Sequence, residues 1–227
     1  FLNQLNVRAE YGLSGNSRFS ARTSKYYYVG QKYRDLSGIV RGNIPNTNLK
    51  WESSKTLDLG VDFAMFNNRL NAEVSYYEIN TSDVILPSKI SPEFGIESII
   101  YNQGEISNKG FDMSLLADVV NTRVWGFTVG GNICFNKNRL ESLGSSTELV
   151  RELGDGSAVV SRVGESVYSF YGHKSDGVIA SSAEAAVAGV NSMPLYDYKG
   201  QAFGAGDIRF ADISGNNGVI DQNDRTV

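Results

Sequence analysis

The 227-residue chain reads as an all-β fold: an antiparallel meander of long strands, with short turns at one end and long loops at the other. Three observations predict it. Apolar and polar residues alternate with a period of two over segments of roughly ten residues, the mark of a sheet with unlike faces. The connections alternate between very short (67–69, 120–123) and long (15–50, 87–104, and everything from 141). Aromatic residues sit at strand ends: Phe66 and Trp125 flank the short turns, and Trp51, Tyr76, Tyr77 and Tyr101 lie towards the opposite ends. A soluble sandwich also alternates. Uneven loop lengths and two aromatic girdles favour a stretch of transmembrane barrel.

Each element follows from its residues. In 6–14, Val7, Ala9, Tyr11 and Leu13 alternate with Arg8, Glu10, Gly12 and Ser14. In 56–66, Leu57, Leu59, Val61, Phe63 and Met65 oppose Thr56, Asp58, Gly60, Asp62 and Ala64. Asn67, Asn68 and Arg69 predict a tight turn, because asparagine tolerates positive φ. The strand over 70–80 sets Leu70, Ala72, Val74 and Tyr76 against Asn71, Glu73, Ser75 and Tyr77. A second hairpin repeats the design, with Phe111, Met113, Leu115, Ala117 and Val119 apolar, a turn at Asn121 and Thr122, and then Trp125, Phe127, Val129, Gly131, Ile133 and Phe135. In a barrel, Leu59, Val61, Phe63, Val129 and Ile133 face lipid, whereas Asp58, Asp62, Asp112 and Asn132 line the interior. Residues 1–140 thus hold barrel strands and their loops. Residues 141–227 read as a long extracellular loop region with possible further strands, not a separate domain. Within it, 182–188 predicts one short helix capped by Ser182 and stopped by Gly189; so short a helix must dock on something.

Composition removes other classes. The formal net charge is −4, and no long run of either sign breaks the balance. Nucleic-acid binding needs a basic stripe, which the reading along the chain does not find. One cysteine, Cys134, excludes an internal disulfide framework, and one histidine, His173, removes most metallohydrolase and Ser-His-Asp schemes. No apolar run approaches the roughly 20 residues of a membrane helix. Phe1-Leu2-Asn3-Gln4 lacks the features of a signal peptide, and the chain is expected to be an internal fragment.

Several segments, in order, resemble the SusC/RagA-type TonB-linked outer-membrane transporters. They are Asn46-Thr47-Asn48-Leu49-Lys50-Trp51-Glu52 leading into Leu57-Asp58-Leu59-Gly60-Val61-Asp62-Phe63, and Phe66-Asn67-Asn68-Arg69-Leu70 followed by Tyr76-Tyr77. Next comes Asn102-Gln103-Gly104-Glu105-Ile106-Ser107-Asn108-Lys109-Gly110-Phe111-Asp112. The later ones are Ser169-Phe170-Tyr171-Gly172-His173-Lys174-Ser175-Asp176-Gly177-Val178, then Gly206-Asp207-Ile208-Arg209-Phe210 and Asp224-Arg225-Thr226-Val227. The resemblance implies a 22-stranded barrel filled by a plug in the outer membrane of a Gram-negative bacterium. It implies a SusD-like surface lipoprotein as partner, TonB acting through a plug not in this chain, and import of oligosaccharides or peptides without chemistry on the cargo. No cofactor is expected to be required. The competing reading is a soluble or surface-displayed β-rich binding or adhesion protein.

Candidate sites are few. Residues 212–224 resemble a calcium loop, in which Asp212, Ser214, Asn216, Asp221 and Asp224 supply the oxygen ligands that hard Ca2+ requires. The extra Asn217, the weak Ser214 and the missing flanking helices favour instead a loop held by its own hydrogen bonds. Tyr26, Tyr27 and Tyr28 suit stacking on sugar rings or contact with a partner protein, or else begin a strand. The acids Asp58, Asp62, Glu73, Asp112 and Asp118 read as a hydrated wall rather than a catalytic carboxylate pair.

Overall fold

The alternating segments pair edge to edge in the computed structural model, which describes residues 1–96, 98–154 and 157–227. Five strands form one antiparallel sheet in the order β1-β4-β5-β6-β7: β1 Leu2–Asn16, β4 Glu52–Met65, β5 Leu70–Lys89, β6 Ser98–Asn121 and β7 Gly126–Leu143. Between β1 and β4 lies a separate hairpin, β2 Tyr28–Tyr33 with β3 Leu36–Arg41. Register carries the alternation across the whole sheet. Val7, Val61, Val74, Met113 and Ile133 form one cross-strand row, and Ala9, Leu59, Tyr76, Phe111 and Phe135 another. On the opposite parity run Asn6, Asp62, Glu73, Ser114 and Asn132. A shift of one residue would turn a whole strand over, so five strands in phase define one apolar and one polar face.

Both short turns are as tight as their residues predict. Phe66, Asn67 and Asn68 take φ of 57°, 58° and 63°, and the Asn67 N–H donates to Asn3 Oδ1 at 2.8 Å. In the second, Thr122 and Trp125 hold each other through backbone and hydroxyl, with Thr122 N–H donating to Trp125 O at 2.8 Å. Phe1 packs edge-on against Phe66 at 5.1 Å, and Trp125 is exposed, so aromatic rings gather at this end.

Two expectations about the long strands need correction. The stretch 87–104 is mostly strand: Pro87 pairs with Ile100 and Val84 with Gly104, and the true connection is only 90–97, of which residue 97 lies outside the described residues. Beyond the apolar band neither face must be greasy, so alternation fades while the hydrogen-bond ladder continues. Tyr77 is not a girdle residue. It lies on the polar parity beside Asp58 and Gly110, and its ring covers Gly110 so closely that a Cβ there would overlap it. Its hydroxyl accepts from Asn136 Nδ2 at 2.7 Å.

The chain divides into two compact units, one of residues 1–148 with 162–167, the other of 149–161 with 168–227. In the first, residues 162–167 return to the end of β7, where Leu140 N–H donates to Glu165 O and Leu140 O accepts from Gly164. Leu140 and Leu143 are buried there. The second contains β8 Glu148–Glu152 and β9 Ala158–Arg162 apart from their end residues Glu148 and Arg162, then β10 Ser169–His173, β11 Ser175–Val178, β12 Tyr196–Asp197, β13 Ile208–Phe210, β14 Val219–Ile220 and β15 Arg225–Thr226. Its small core is made of Ala158, Val160, Ile179, Ala185, Leu195 and Ile220.

The helix is shorter than expected and starts one residue earlier, so the predicted Ser182 cap and Gly189 stop are both corrected. α1 spans Ser182–Ala185 and is capped by Ser181, whose side chain accepts from Glu184 N–H at 3.2 Å. Glu184 Oε2 in turn accepts from Ala180 N–H at 2.9 Å. That pairing needs serine three residues before the glutamate, which Ser181 satisfies and Ser182 does not. Gly189 instead runs against the carbonyls of Met193 and Pro194. The helix does dock: Arg209 on β13 reaches Glu184 Oε1 at 2.9 Å and the Asp176 carbonyl at 2.7 Å.

Candidate functional site

On the polar face Asp62, Glu73 and Asp118 are held by neighbours, while Asp62 Oδ1 and Asp112 Oδ1 are buried without a partner. Arg8 crosses Gly60, where a Cβ would come within 2.7 Å of its guanidinium, and bridges Asp62 at 3.2 Å and Glu73 at 2.9 Å. Asp118 accepts from Thr128 Oγ1 at 2.7 Å, whereas the Lys109–Glu78 pair at 3.1 Å lies on the apolar parity, one step beyond Tyr76 and Phe111. These contacts build a polar wall in which Arg8 is set between two acids.

The 212–224 loop is organised around Asp224, which is fully buried. Its Oδ1 accepts from the N–H groups of Ile213 at 2.9 Å and Ser214 at 2.8 Å, and its Oδ2 from Asp221 at 2.8 Å. Asp221 Oδ1 accepts from Asn223 N–H at 2.7 Å, completing a capping box. Asp212 Oδ2 accepts from Gly218 N–H at 2.7 Å, whereas Asp212 Oδ1 is buried without a partner. Asn217, the extra residue of the motif, closes a local turn onto Val219 N–H at 2.8 Å. Burial pushes the Asp224 carboxyl up, but the donors from Asp221, Ser214 and Ile213 outweigh it and hold it below the usual carboxylate value. Of the five predicted cation ligands, Asp224, Asp221 and Asp212 thus converge on backbone donors, Ser214 sits beside Asp224, and Asn216 is exposed with φ 46°. Among the described residues no group of three or more His, Cys, Asp or Glu side chains is arranged to hold a metal. His173 is a satisfied ring: its Nε2 lies 2.7 Å from the Asp221 carbonyl, and it packs against Phe210.

The three tyrosines part company. Tyr26 is exposed and carries the Arg41 guanidinium 5.4 Å above its ring. Tyr27 turns inward over Gly42, where any side chain would collide with its ring. Tyr28 begins β2 opposite Arg41. Beside Tyr27 lies an open cavity of about 680 Å3, lined by Arg22, Gln31, Arg41 and Asn43 together with Val29, Val40 and Ile44. Asn43 organises its floor: Oδ1 accepts from Tyr27 N–H at 3.3 Å, and Nδ2 donates to the carbonyls of Arg22 at 3.1 Å and Lys25 at 3.0 Å.

Reading the chain for runs of charge misses this region. Residues 17–50 hold seven lysines and arginines and a single acid, Asp35, so the rest of the chain carries the whole acidic excess. The bases are spaced rather than consecutive, and a windowed charge count would have found them. Among the described residues, none of Arg18, Arg22, Lys25, Lys32, Arg41 and Lys50 forms an ion pair.

Comparison with known proteins gives a consistent picture. A profile of the TonB dependent receptor-like β-barrel family matches residues 1–212. TonB-dependent receptor P3 of Formosa agariphila is 35% identical over 182 residues, covering 75% of this chain and 18% of that protein. TonB-dependent receptor SusC of Bacteroides thetaiotaomicron is 26% identical over 165 residues, covering 68% of this chain and 16% of its own length. The solved structure of the RagAB peptide transporter superposes with a TM-score of 0.64 at 26% identity, covering 78% of this chain and 19% of that one. The chain therefore spans about a fifth of the length of the relatives it matches.

Proposed function

The chain belongs to the TonB-dependent receptor-like β-barrel family, and from that premise we propose that it forms part of the barrel of an outer-membrane importer of oligosaccharides or peptides. One observation carries the reading: five adjacent antiparallel strands share an apolar face opposite a polar face that holds the Arg8 ion pairs. An outer-membrane strand needs about 9–11 residues to cross the apolar layer; these have 14 to 24. Short turns at one end fit the periplasmic side, and the long strand extensions and loops fit the outside. In this reading a plug from elsewhere in the protein contacts TonB, a SusD-like lipoprotein closes over the outer mouth, and the barrel performs no chemistry on its cargo.

Uptake is the test. Cells bearing the full-length protein should accumulate cargo only while TonB and the proton gradient are intact, and a surface lipoprotein should co-purify with it. Cargo accumulation that survives loss of TonB would reject active import.

A second reading concerns the 212–224 loop. The unpartnered Asp212 Oδ1 supports weak Ca2+ binding through Asp212, Ser214, Asn216, Asp221 and Asp224. Because the ion must compete with backbone donors, its affinity belongs in the 10⁻⁴–10⁻³ M range of extracellular modules. Calorimetric titration of Ca2+ into detergent-solubilised full-length protein should give heat that Asp212→Ala abolishes. Equal heats for both proteins would leave the loop as a hydrogen-bonded turn.

A further inference from the structure

The cavity beside Tyr27 has the makings of a site for a charged ligand. Its volume of about 680 Å3 falls within the usual range of small-molecule pockets, roughly 300–1,000 Å3. Arg22 and Arg41 are among its lining residues, the Arg41 guanidinium resting over the neighbouring Tyr26 ring, and neither guanidinium has a carboxylate partner among the described residues. The surrounding loop is the one strongly basic stretch of an acidic chain, so field lines from Arg18, Lys25 and Lys32 add to theirs and raise the local concentration of anions. Unpaired arginines in a concave site call for planar anions, which the guanidinium fork binds in bidentate fashion.

We propose that this cavity binds an anionic oligosaccharide, with Arg22 and Arg41 pairing with its carboxylate or sulfate groups and Tyr27 packing against the C–H face of a sugar ring. The floor favours a sugar over an acidic peptide. Main-chain groups that a peptide would need are already paired: Tyr27 O accepts from Gly42 N–H, Tyr27 N–H donates to Asn43, and the Arg22 and Lys25 carbonyls accept from Asn43. Side chains are what remain: two cations, the Gln31 amide, an aromatic ring and the branched apolar surface of Val29, Val40 and Ile44. That combination matches a ring with one apolar face and charged substituents at its edge. Gly42 is required by this geometry, since only its missing Cβ lets the Tyr27 ring lie where it does.

The inference rests on the importer reading only for placing the loop on the outer side, so binding and transport are measured separately. Detergent-solubilised full-length protein is titrated with an oligogalacturonate, a chondroitin sulfate oligosaccharide, a neutral maltooligosaccharide of equal length and an oligoglutamate. At least one of the two charged glycans should bind at least tenfold more tightly than the neutral glycan and the peptide. Its affinity should fall as salt rises. Arg22→Ala and Arg41→Ala should each weaken it about tenfold, as expected for a charge-assisted hydrogen bond, while Lys199→Ala leaves it unchanged. Binding of oligoglutamate as tight as that of the charged glycans would show mere charge attraction and overturn the proposal. So would failure of both charged glycans to bind, indifference to the arginine substitutions, or arginine variants that lose a co-purifying lipoprotein while keeping glycan affinity. TonB-dependent uptake of some other cargo alongside any of these results would leave the importer reading standing and remove the site alone.

Discussion

Asp224 shows how one buried carboxylate can organise a loop of weak local preferences. Its two oxygens gather three backbone donors from both ends of the motif, a task that neither water nor an amide performs as well in a site closed to solvent. Asp224→Ala leaves those donors without an acceptor, at roughly 1–3 kcal/mol for each that stays dry. Hydrogen exchange at Ile213, Ser214 and Asp221 should then speed up by at least tenfold, and unchanged exchange would refute the latch. The same contact makes the loop acid-sensitive. Because the folded carboxyl lies below its usual value, the unfolded chain binds the proton more readily. The stabilisation is fully present above the ordinary carboxylate pKa and fades as pH falls through the lower, folded value. Exchange at these three amides measured from neutral to acid pH, corrected for intrinsic rate, should show protection lost only at the acid end. Asp224→Asn should remove that dependence.

At the scale of strands, face and register make separable predictions. Val61 sits second in an apolar row five strands wide, between Val7 and Val74, and Asp62 beside it is held by Arg8 and Asn6. Val61→Arg should cost roughly 2–4 kcal/mol in a bilayer, as for an arginine at the midplane of a barrel's lipid face. Asp62→Asn gives up one half-buried ion pair while Arg8 keeps Glu73, and should cost about 1 kcal/mol. Unfolding of the full-length barrel in lipid vesicles checks both: equal costs would refute the assignment of unlike faces, and a cheaper Val61→Arg would mean that the faces are reversed. The Tyr77 contact is sharper still. Gly110→Ala places a methyl where the ring lies, so the ring must swing away and release Asn136, for about 1–3 kcal/mol of overpacking. In a Tyr77→Ala background the same change should cost close to nothing; equal costs in both backgrounds would show that the ring is not the obstacle.

For the molecule as a whole, the sheet is a surface that needs a membrane and neighbours. Val7, Val61, Phe111, Val129 and Ile133 are all exposed on the first unit, and β1 and β7 are the edges of its sheet. Such an apolar face between open edges invites association. Residues 1–167 expressed alone should therefore aggregate in buffer and disperse only in detergent. A monodisperse soluble monomer by analytical ultracentrifugation would favour a soluble binding protein over a barrel wall.

The facing of the five long strands and both tight turns were determined by the sequence alone, because each rests on local rules, whereas the β2–β3 hairpin inside the expected 15–50 loop was not. A strand shows its faces every second residue, and asparagine enters the left-handed region that the Asn67 and Asn68 turn requires. The ends of β5 and β6 were decided elsewhere. Outside the apolar band both faces meet water, so 81–89 and 98–106 carry little pattern, and only pairing such as Pro87 with Ile100 reveals them as strand. Tyr77 has aromatic character that suits a girdle, but its parity and the bare Gly110 on the next strand put it inside. Asp212 to Asp224 looked alike as oxygen donors in sequence. Folding sorted them, since which oxygen meets a backbone N–H depends on how the loop closes. Arg22 and Arg41 lie nineteen positions apart, and only the closure of the loop around Asn43 brings them to one cavity. Contacts of that kind depend on chain closure rather than on neighbouring residues, and no local periodicity records them.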